Sequence, residues 1–219
     1  MTTKRVPVIA LCNQKGGVGK TTTYHLARAA CQAGVRVLVV DMDPQGNVTA
    51  ALAPELGEDI EGVAHALSSE CIDEFDLVLI DCPPSLDQLT VTALTAASGV
   101  VVVTAARLWS ASGWVRLSET VAQVKAAYNR GLEHLGIIVN AMEATTRTRR
   151  HWHEELREAA ESAGMRLFAP AIPKRTLIGD TAEASLGLDE QGAVGRELAE
   201  IYTGYLEELL AAREEGEGR

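Results

Sequence analysis

Short runs of aliphatic, mostly β-branched residues alternate along the chain with longer stretches whose apolar positions follow a helical spacing. The runs predict β-strands at residues 6–12, 35–41, 75–81, 99–104 and 135–140, with a weaker strand at residues 166–169. The stretches predict helices at residues 20–32, 87–97, 112–130, 149–163 and 194–213, and one short helix within residues 57–72. Alternating strands and helices are typical of right-handed βαβ crossovers. The sequence therefore predicts an α/β fold with a mostly parallel sheet and helices on both faces.

The length and composition support one domain with an aliphatic core. A chain of 219 residues is long enough to bury a sizeable core without disulfides or metal ions. Aromatic residues make up 4% of the chain, so Val, Leu, Ile and Ala must fill the core, as suits parallel strands that helices cover on both faces. We expect the domain to span residues 1–213 and the Gly/Glu-rich tail, residues 214–219, to fray.

Charge and cysteine usage narrow the functional classes. A net charge of −10 argues against a surface that is basic throughout, but it leaves room for a local basic patch because salt screens charges beyond roughly 10 Å. Cys12, Cys31, Cys71 and Cys82 form no C-x-x-C pair, which favours a reduced, cytoplasmic protein. No apolar run approaches the length of a membrane span, and the N-terminus lacks the apolar core of a signal peptide.

A glycine-rich segment follows the first predicted strand. Residues 13–22 read N-Q-K-G-G-V-G-K-T-T and lead into a predicted helix. Glycines allow backbone N–H groups to wrap a phosphate chain, and the helix N-terminus favours negative charge. Lys20 would reach the β- and γ-phosphates of ATP, and the Thr21 hydroxyl would bind Mg²⁺. The strict pattern has glycine where this chain has Gln14, so this is a deviant form of the phosphate loop, with a second lysine at Lys15.

The second and third predicted strands end in carboxylates. The second strand ends with Asp41 and Asp43, and the third ends with Asp81. Ligands of parallel α/β sheets bind at the carboxyl ends of the strands, so these aspartates are expected beside the phosphate loop. We predict that Asp43 positions or deprotonates the attacking water and that Asp81 holds Mg²⁺. Together with Thr21 of the phosphate loop, the strand-end residues Asp43 and Asp81 make up the predicted metal site.

These motifs resemble those of the ParA/MinD group of deviant Walker ATPases, and specifically the short ParA-type DNA-partition proteins. Residues 14–22 match the family's phosphate loop, residues 41–47 (D-M-D-P-Q-G-N) its second motif and residues 80–85 (I-D-C-P-P-S) its third. Residues 172–175 (I-P-K-R) are similar to the family's late loop beside the adenine. No DNA-binding domain precedes the phosphate loop, so we expect the short form that is not its own repressor.

The resemblance implies a homodimer that encloses two ATP molecules. Lys15 would cross the interface to touch the partner's phosphates, and Asn140 and Pro173 would border the adenine. The ATP-bound dimer would bind DNA without sequence preference, and a ParB-like partner would stimulate slow ATP hydrolysis. The protein would then be a cytoplasmic, nucleoid-associated ATPase. The implied nucleotide-binding residues are Lys15, Gly16, Gly17, Val18, Gly19, Lys20, Thr21, Thr22, Asn140 and Pro173, with Lys15, Lys20 and Asp43 as the catalytic set.

Basic residues are concentrated after the fifth predicted strand. Arginines at a helix start suit phosphate contacts, which do not depend on DNA sequence. The alternative is a solvated helix face, because Glu154, Glu155 and Glu158 follow one turn on. The resemblance favours DNA. The candidate DNA-binding residues are Arg147, Arg149, Arg150, Lys174 and Arg175.

Three other functional classes are alternatives to a DNA-partition ATPase. A MinD-like membrane switch would need a basic amphipathic C-terminal helix, whereas residues 206–215 read L-E-E-L-L-A-A-R-E-E. A metabolic or iron–sulfur relative would need a substrate signature or cluster cysteines, which the sequence does not supply. A ParA-like positioner of a protein cargo shares the same ATPase machinery, so the sequence does not separate it from DNA partition. We expect the lone histidines His25 and His134 to be structural or exposed.

Overall fold

Five parallel strands form the sheet of this domain. The computed structural model of the chain describes residues 6–13, 19–56, 74–105, 111–142, 147–162 and 164–217, with only the backbone at 19–20, 54–56, 111–114, 147–153, 162 and 212–217. The strands pair in the order β2-β3-β1-β4-β5, and each pair is parallel. The prediction of a mostly parallel α/β sheet is thereby confirmed. The strands are β1 (Val8–Asn13), β2 (Val37–Asp41), β3 (Leu77–Asp81), β4 (Gly99–Ala105) and β5 (Glu133–Asn140).

Seven helices accompany the sheet in the described part of the chain. They are α1 (Gly19–Gln32), α2 (Asn47–Leu56), α3 (Gln88–Ala96), α4 (Ala111–Ala127), α5 (Arg147–Ser162), α6 (Thr176–Glu183) and α7 (Gly192–Glu217). The sequence pattern predicts five of them to within a few residues and misses α2 and α6. Helix α7 continues to Glu217, beyond the predicted end at residue 213. The short helix predicted within residues 57–72 lies outside the described residues.

The predicted strand at residues 166–169 is wrong. Leu167 forms a single isolated bridge with Ile137 of β5, and no strand extends from it in the described residues. The backbone of β5 accepts one hydrogen bond from Phe168 and donates one to Arg166. Pro170 has no N–H with which to continue the ladder, and the chain bends there. The segment therefore touches the edge of the sheet without becoming a sixth strand.

The core lies on both faces of the sheet. One layer places Ile9, Leu11 and Leu79 against α1 and α7, and the other places Ala10, Ile80 and neighbouring residues against α3, α4 and α5. All seven residues of β4 are buried. A strand covered on both sides has no solvated face, which explains its run of four consecutive valines.

A chain of ring contacts fastens α1 to α7. The His25 ring lies between Tyr24 and Tyr202, with centroid separations of 5.0 Å on each side. Tyr202 in turn contacts Tyr205, whose ring meets Phe168 at 5.6 Å. These rings are buried in the layer between the sheet and α7. The chain has few aromatic residues, and several of them pack together in this cluster. The cluster stabilises the position of α1, the helix that follows the glycine-rich segment.

His25 is a buried structural residue. Its side chain is 3% exposed, and its ring Nε2 lies 2.9 Å from the backbone carbonyl of Ile178 in α6. Because a carbonyl only accepts hydrogen bonds, Nε2 carries the proton and donates. Burial lowers the pKa of His25 to about 4, an effect that the Ile178 hydrogen bond opposes and the charge of Arg28 reinforces. The ring is therefore neutral at physiological pH.

We expect acid to destabilise the protein through His25. Above its ordinary pKa of 6.5 the ring is neutral in the folded and unfolded chains, so the full stability is present. Between pH 6.5 and about pH 4 the unfolded chain binds a proton that the folded chain excludes. The free energy of unfolding should then fall by about 3 kcal/mol. Urea unfolding at a series of pH values, compared between wild type and His25→Gln, measures this.

The glutamine variant is the matched control. Its amide can donate to the Ile178 carbonyl but does not titrate, and all carboxylates are common to both proteins. The difference in unfolding free energy between the two proteins should therefore shrink as the pH falls. Parallel losses of stability in the two proteins would exclude His25 as the source.

Candidate functional site

Polar residues gather at the carboxyl edge of the sheet. Asn13 ends β1, Asp41 ends β2, Asp81 ends β3 and Asn140 ends β5. Residues 14–18 connect β1 to α1, and the candidate residues Lys15, Gly16, Gly17 and Val18 lie outside the described residues. Their roles stay predictions.

The N-terminus of α1 lies at this same edge. The helix begins at Gly19, and its first four N–H groups have no carbonyl partner within the helix. The helix dipole adds partial positive charge there, so the first turn suits an anionic ligand such as a phosphate. Lys20 is the second residue of α1, and its side chain lies outside the described atoms.

The carboxylate of Asp81 is tied to α1. Asp81 is 1% exposed, and its Oδ1 accepts a hydrogen bond of 2.5 Å from the hydroxyl of buried Thr23. A carboxylate buried this deeply requires hydrogen-bond donors or a cation. Carboxylate and hydroxyl oxygens suit Mg²⁺, which binds through one or two carboxylates together with substrate phosphates. The residues present therefore fit the predicted magnesium site. The motif's hydroxyl, that of Thr21, belongs to a partly exposed residue, and the buried Thr23 hydroxyl holds the Asp81 carboxylate in place.

Asp41 organises the turn that follows β2. Its Oδ2 accepts hydrogen bonds from the backbone N–H of Val48 and of Thr49, at 3.0 and 2.9 Å, and from the Thr49 hydroxyl. These contacts cap the first turn of α2, which begins at Asn47. Its Oδ1 accepts from the backbone N–H of Asp43 at 3.1 Å. Asp41 is therefore a structural residue that holds both α2 and Asp43.

Asp43 occupies a tight turn and is 9% exposed. Its Oδ1 accepts from the N–H of Gln45 at 3.0 Å, and its carbonyl accepts from Gly46, whose φ of +61° favours glycine. Within the described part of the chain, the hydrogen bonds of the Asp43 side chain involve Oδ1 alone. Its second oxygen retains the capacity to accept a hydrogen bond from water, as the predicted role requires.

The tip of β5 meets α1 and residues 172–174. Asn140 is 7% exposed and donates from Nδ2 to the hydroxyl of buried Thr22 at 3.2 Å. Two residues later, Met142 forms an isolated β-bridge with Pro173. Its backbone N–H donates to the Ile172 carbonyl and its carbonyl accepts from the Lys174 N–H, at 2.8 Å each. The structure thus brings together Asn140, Pro173 and Thr22, three of the predicted nucleotide-binding residues.

The two basic segments flank the same edge strand. Arg147, Arg149 and Arg150 lie in the first turn of α5, and their side chains are outside the described atoms. Lys174 and Arg175 are exposed, and Arg175 stands at the start of α6. Lys174 is hydrogen-bonded to Met142, and Arg147 follows Met142 by five residues, so the backbone of Arg147 lies within about 18 Å of Met142.

The buried cysteines are poorly suited to nucleophilic chemistry. A hydrogen bond with the Cys12 side chain, together with burial, raises the pKa of the Cys82 thiol well above its usual value. Both residues are buried, so the thiol of Cys82 stays protonated beside the candidate magnesium site. Cys71 lies outside the described residues.

The described residues contain no cluster of three or more His, Cys, Asp or Glu side chains that could hold a metal ion by themselves. His134 sits near the start of β5, at the opposite edge of the sheet, where burial and the charge of Lys125 lower its pKa. The side chains of His151 and His153 lie outside the described atoms. Among the described helices, none is both long and apolar enough to cross a bilayer.

Comparison with known proteins identifies the type of domain. A family model described as the CobQ/CobB/MinD/ParA nucleotide binding domain matches residues 9–186. The chromosome-partitioning ATPase Soj of Thermus thermophilus is 34% identical, covering 96% of this chain and 98% of Soj. The three sequence motifs fall within the matched region, so the predicted resemblance to ParA-type proteins is confirmed.

Solved structures support the nucleotide and the metal ion. Cobyrinic acid a,c-diamide synthase from Mycobacterium smegmatis, with bound ADP and magnesium, superposes with a TM-score of 0.72 at 25% identity over 97% of each chain. The ATP complex of a McdA variant from Cyanothece, at 18% identity, shares the fold with a TM-score of 0.75 over 95% of this chain and 97% of McdA. The predicted ligands, ATP and Mg²⁺, are confirmed for this type of domain.

We expect Asp41→Ala to lower stability because it removes the cap of α2. Loss of a helix cap costs about 1–2 kcal/mol, which corresponds to a fall in Tm of roughly 2–8 °C for a domain of this size. Thermal unfolding followed by circular dichroism measures the shift. Asp43→Ala is the matched control and should shift Tm less, because one hydrogen bond is described for its side chain. Equal shifts in the two variants would contradict the capping role of Asp41.

Proposed function

The chain belongs to the CobQ/CobB/MinD/ParA nucleotide-binding family, and from that premise we propose that it is an ATP-dependent, dimerising switch for DNA segregation. In the ATP-bound state it binds DNA without sequence preference. A partner protein of the ParB type stimulates hydrolysis and releases the complex. The output of ATP turnover is thus a cycle of DNA binding rather than a chemical product, and the protein works at the nucleoid.

The observation that carries this proposal is the similarity to the chromosome-partitioning ATPase Soj along nearly the full length of both chains. A shared nucleotide fold alone would suit a biosynthetic enzyme equally well. The similarity to Soj also covers the β5 tip and residues 172–174, which lie outside the motifs that bind phosphate and Mg²⁺. It therefore favours a partition ATPase over other users of the same fold.

Each residue of the phosphate site has a distinct role in the proposal. The N–H groups of the loop and of the first turn of α1 bind the phosphates, with Lys20 against the β- and γ-phosphates. Thr21 and Asp81 hold Mg²⁺, which when bound neutralises charge on the phosphate oxygens. Asp43, held by the turn at Gly46, orients the attacking water through its remaining oxygen and accepts its proton.

Dimerisation links ATP to DNA binding. Lys15 of one protomer reaches the phosphates bound by its partner, so the closed dimer requires a nucleotide in each subunit. Asn140 and Pro173 border the adenine. The amide of Asn140 donates to Thr22 and accepts from Ala141. An amide carries both donors and an acceptor, the two kinds of group that the edge of adenine requires.

The basic segments supply the DNA contacts. Arg147, Arg149 and Arg150 open α5, while Lys174 and Arg175 lie on the neighbouring segment, so the positive charge is local to the β5 edge. A net charge of −10 makes the rest of the surface repel DNA. A single patch then binds weakly, and dimerisation doubles it, which makes DNA affinity depend on the ATP state.

We expect Asp43→Ala to bind ATP and dimerise but to hydrolyse ATP at least about 100-fold more slowly, because it removes the group that orients and deprotonates water. Phosphate release in single-turnover conditions measures the rate, and light scattering after gel filtration measures dimerisation. Lys20→Ala is the comparison variant and should lose nucleotide binding itself. Normal turnover in Asp43→Ala would remove Asp43 from the mechanism.

We expect binding to a non-specific DNA duplex with a slowly hydrolysed ATP analogue, and not with ADP or without nucleotide. The affinity should fall steeply with salt, since each neutralised phosphate contributes about 0.9 to the slope of log affinity against log salt. Arg149→Ala/Arg150→Ala should weaken binding and reduce that slope by roughly 2 for each protomer bound. Its ATPase rate without DNA should be retained, because neither arginine lies at the phosphate site.

Arg157→Ala is the matched control for the arginine variants. Arg157 lies on the same helix but is engaged by Glu154 and Glu161 at 2.5 Å each, so its removal should leave DNA affinity near the wild-type value. Equal losses in both variants would place the DNA surface elsewhere. Absence of DNA binding in every nucleotide state would contradict the DNA switch, and binding to anionic liposomes would then identify a membrane-directed ATPase.

A further inference from the structure

Two cysteines lie side by side where β1 and β3 end. Leu11 pairs with Asp81 in the parallel register, so Cys12 and Cys82 occupy the next two opposed positions. The Cys82 N–H donates to the Leu11 carbonyl at 3.1 Å, which continues the ladder one residue past β3. A hydrogen bond joins the two thiol side chains. The fold therefore brings into contact two cysteines that are far apart in the chain.

The surroundings of this pair differ from those of the cysteine on α1. Cys12 is 2% exposed and Cys82 is 0% exposed, and both belong to the core layer that faces α3, α4 and α5. Cys31, in contrast, is exposed near the end of α1. Buried thiols react slowly, and a small uncharged oxidant such as hydrogen peroxide enters a packed core more easily than a charged reagent. The pair is therefore stable in a reducing cytoplasm, and its oxidation requires sustained exposure to peroxide.

The spacing of neighbouring strands permits a disulfide between these positions. Adjacent strands lie about 4.7–4.9 Å apart, and disulfides join residues whose Cα atoms are about 4.4–6.8 Å apart. The Cβ atoms of a bridged pair approach to about 3.5–4.5 Å, which is closer than the strands themselves. A bridge between Cys12 and Cys82 would therefore draw the ends of β1 and β3 together. Strained disulfides are easily reduced, which suits a reversible modification.

The ends of these two strands carry the candidate site. Cys12 is followed by Asn13, the last residue of β1, and then by the glycine-rich segment. Cys82 follows Asp81, whose carboxylate accepts from the buried Thr23 hydroxyl of α1 at 2.5 Å. A close-packed interior transmits a displacement rather than absorbing it. Movement of the strand ends toward each other would therefore shift Asp81 relative to the phosphate-binding end of α1.

From this arrangement we propose that Cys12 and Cys82 form a reversible disulfide under peroxide stress, and that the disulfide prevents binding of Mg²⁺ and ATP. The second part rests on the proposed binding of ATP at this edge of the sheet, whereas formation of the disulfide does not. The modification would stop ATP turnover, and the DNA-bound state that depends on ATP, until the disulfide is reduced.

The oxidation proceeds in two balanced steps. The sulfur of one cysteine, having given up its proton, attacks an oxygen of the peroxide; the O–O bond breaks, and the departing hydroxide takes up that proton as water. The sulfur of the second cysteine then attacks the sulfenic acid that has formed. The S–S bond forms, the S–O bond breaks, and the second thiol proton leaves in another water. Two thiols thus lose two electrons in total, and one peroxide gains them.

Peptide mapping tests whether the disulfide forms. Cys71→Ser removes the fourth cysteine, and the folded protein is treated with increasing hydrogen peroxide. Exposed Cys31 reports that the oxidant has acted and should be modified first. We then expect the Cys12 and Cys82 peptides to become linked, with loss of two hydrogens, and dithiothreitol to separate them. Cys12→Ala and Cys82→Ala in the same background are the matched controls and should give no link.

Titration calorimetry with ATP and Mg²⁺ tests the effect on the site. We expect the linked protein to bind ATP at least about 10-fold more weakly than the reduced protein, as for metal sites whose supporting contacts are altered. Dithiothreitol should restore the affinity. The two alanine variants remove a thiol outside the residues assigned to the site, so their ATP affinity should be unchanged by peroxide.

The coupling must also operate in the opposite direction. If the disulfide weakens ATP binding tenfold, saturating ATP with Mg²⁺ must favour the dithiol by the same factor. For this two-electron couple, a tenfold factor raises the reduction potential of the disulfide by about 30 mV. Equilibration in glutathione buffers with and without ATP, followed by quantification of the linked peptide, measures the shift.

Two results would overturn the proposal. Complete modification of Cys31 without a link between Cys12 and Cys82 would exclude the disulfide. A linked protein that binds ATP as tightly as the reduced protein would exclude control of the site. Failure of the reduced wild-type protein to bind ATP would instead contradict the proposed function, and the peptide map would still decide whether the disulfide forms.

Discussion

Two adjacent hydroxyl groups at the start of α1 hold the helix to the sheet on both sides of β1. Thr23 donates to Asp81 at the end of β3, and Thr22 accepts from Asn140 at the end of β5. Both threonines are fully buried, so these bonds form away from competing water. The ring contacts of His25 and the tyrosines fix the same helix from its other side. The N-terminus of α1 is thereby set relative to the ends of β3 and β5.

Much of this architecture could be predicted, because the strands and five of the helices follow the hydrophobic period. The placement of Asp81 at the end of a strand, close to α1, also follows, since parallel strands end at one edge. Helix α2 could not be predicted, because its cap comes from Asp41, six residues before its first residue, and because Pro54 lies within it. Helix α6 is short, and no side chain caps its start.

The sequence pattern also could not predict which of several similar neighbouring residues makes which contact. Alternation places Asp41 and Asp43 on the same side of the chain, yet three donors of Val48 and Thr49 engage Asp41 and leave Asp43 with a single described side-chain bond. The run Thr21–Thr22–Thr23 likewise gives three equivalent hydroxyls. Contacts with residues 58 and 118 positions away assign two of them to different strands. Such pairings depend on the folded sheet and leave no local signature.

The order of the strands has a consequence for synthesis on the ribosome. Strand β1 emerges first, but its two neighbours pair with it through Val78 and Gly99, which lie 70 and 90 residues later than Val8 and Ile9. At about 5–20 residues per second, the central strand of the sheet waits several seconds for its first partner. During that interval its aliphatic side chains have no sheet to join. The nascent chain is thus most prone to aggregation before the phosphate-binding edge can exist, and its folding is governed by these long-range pairings.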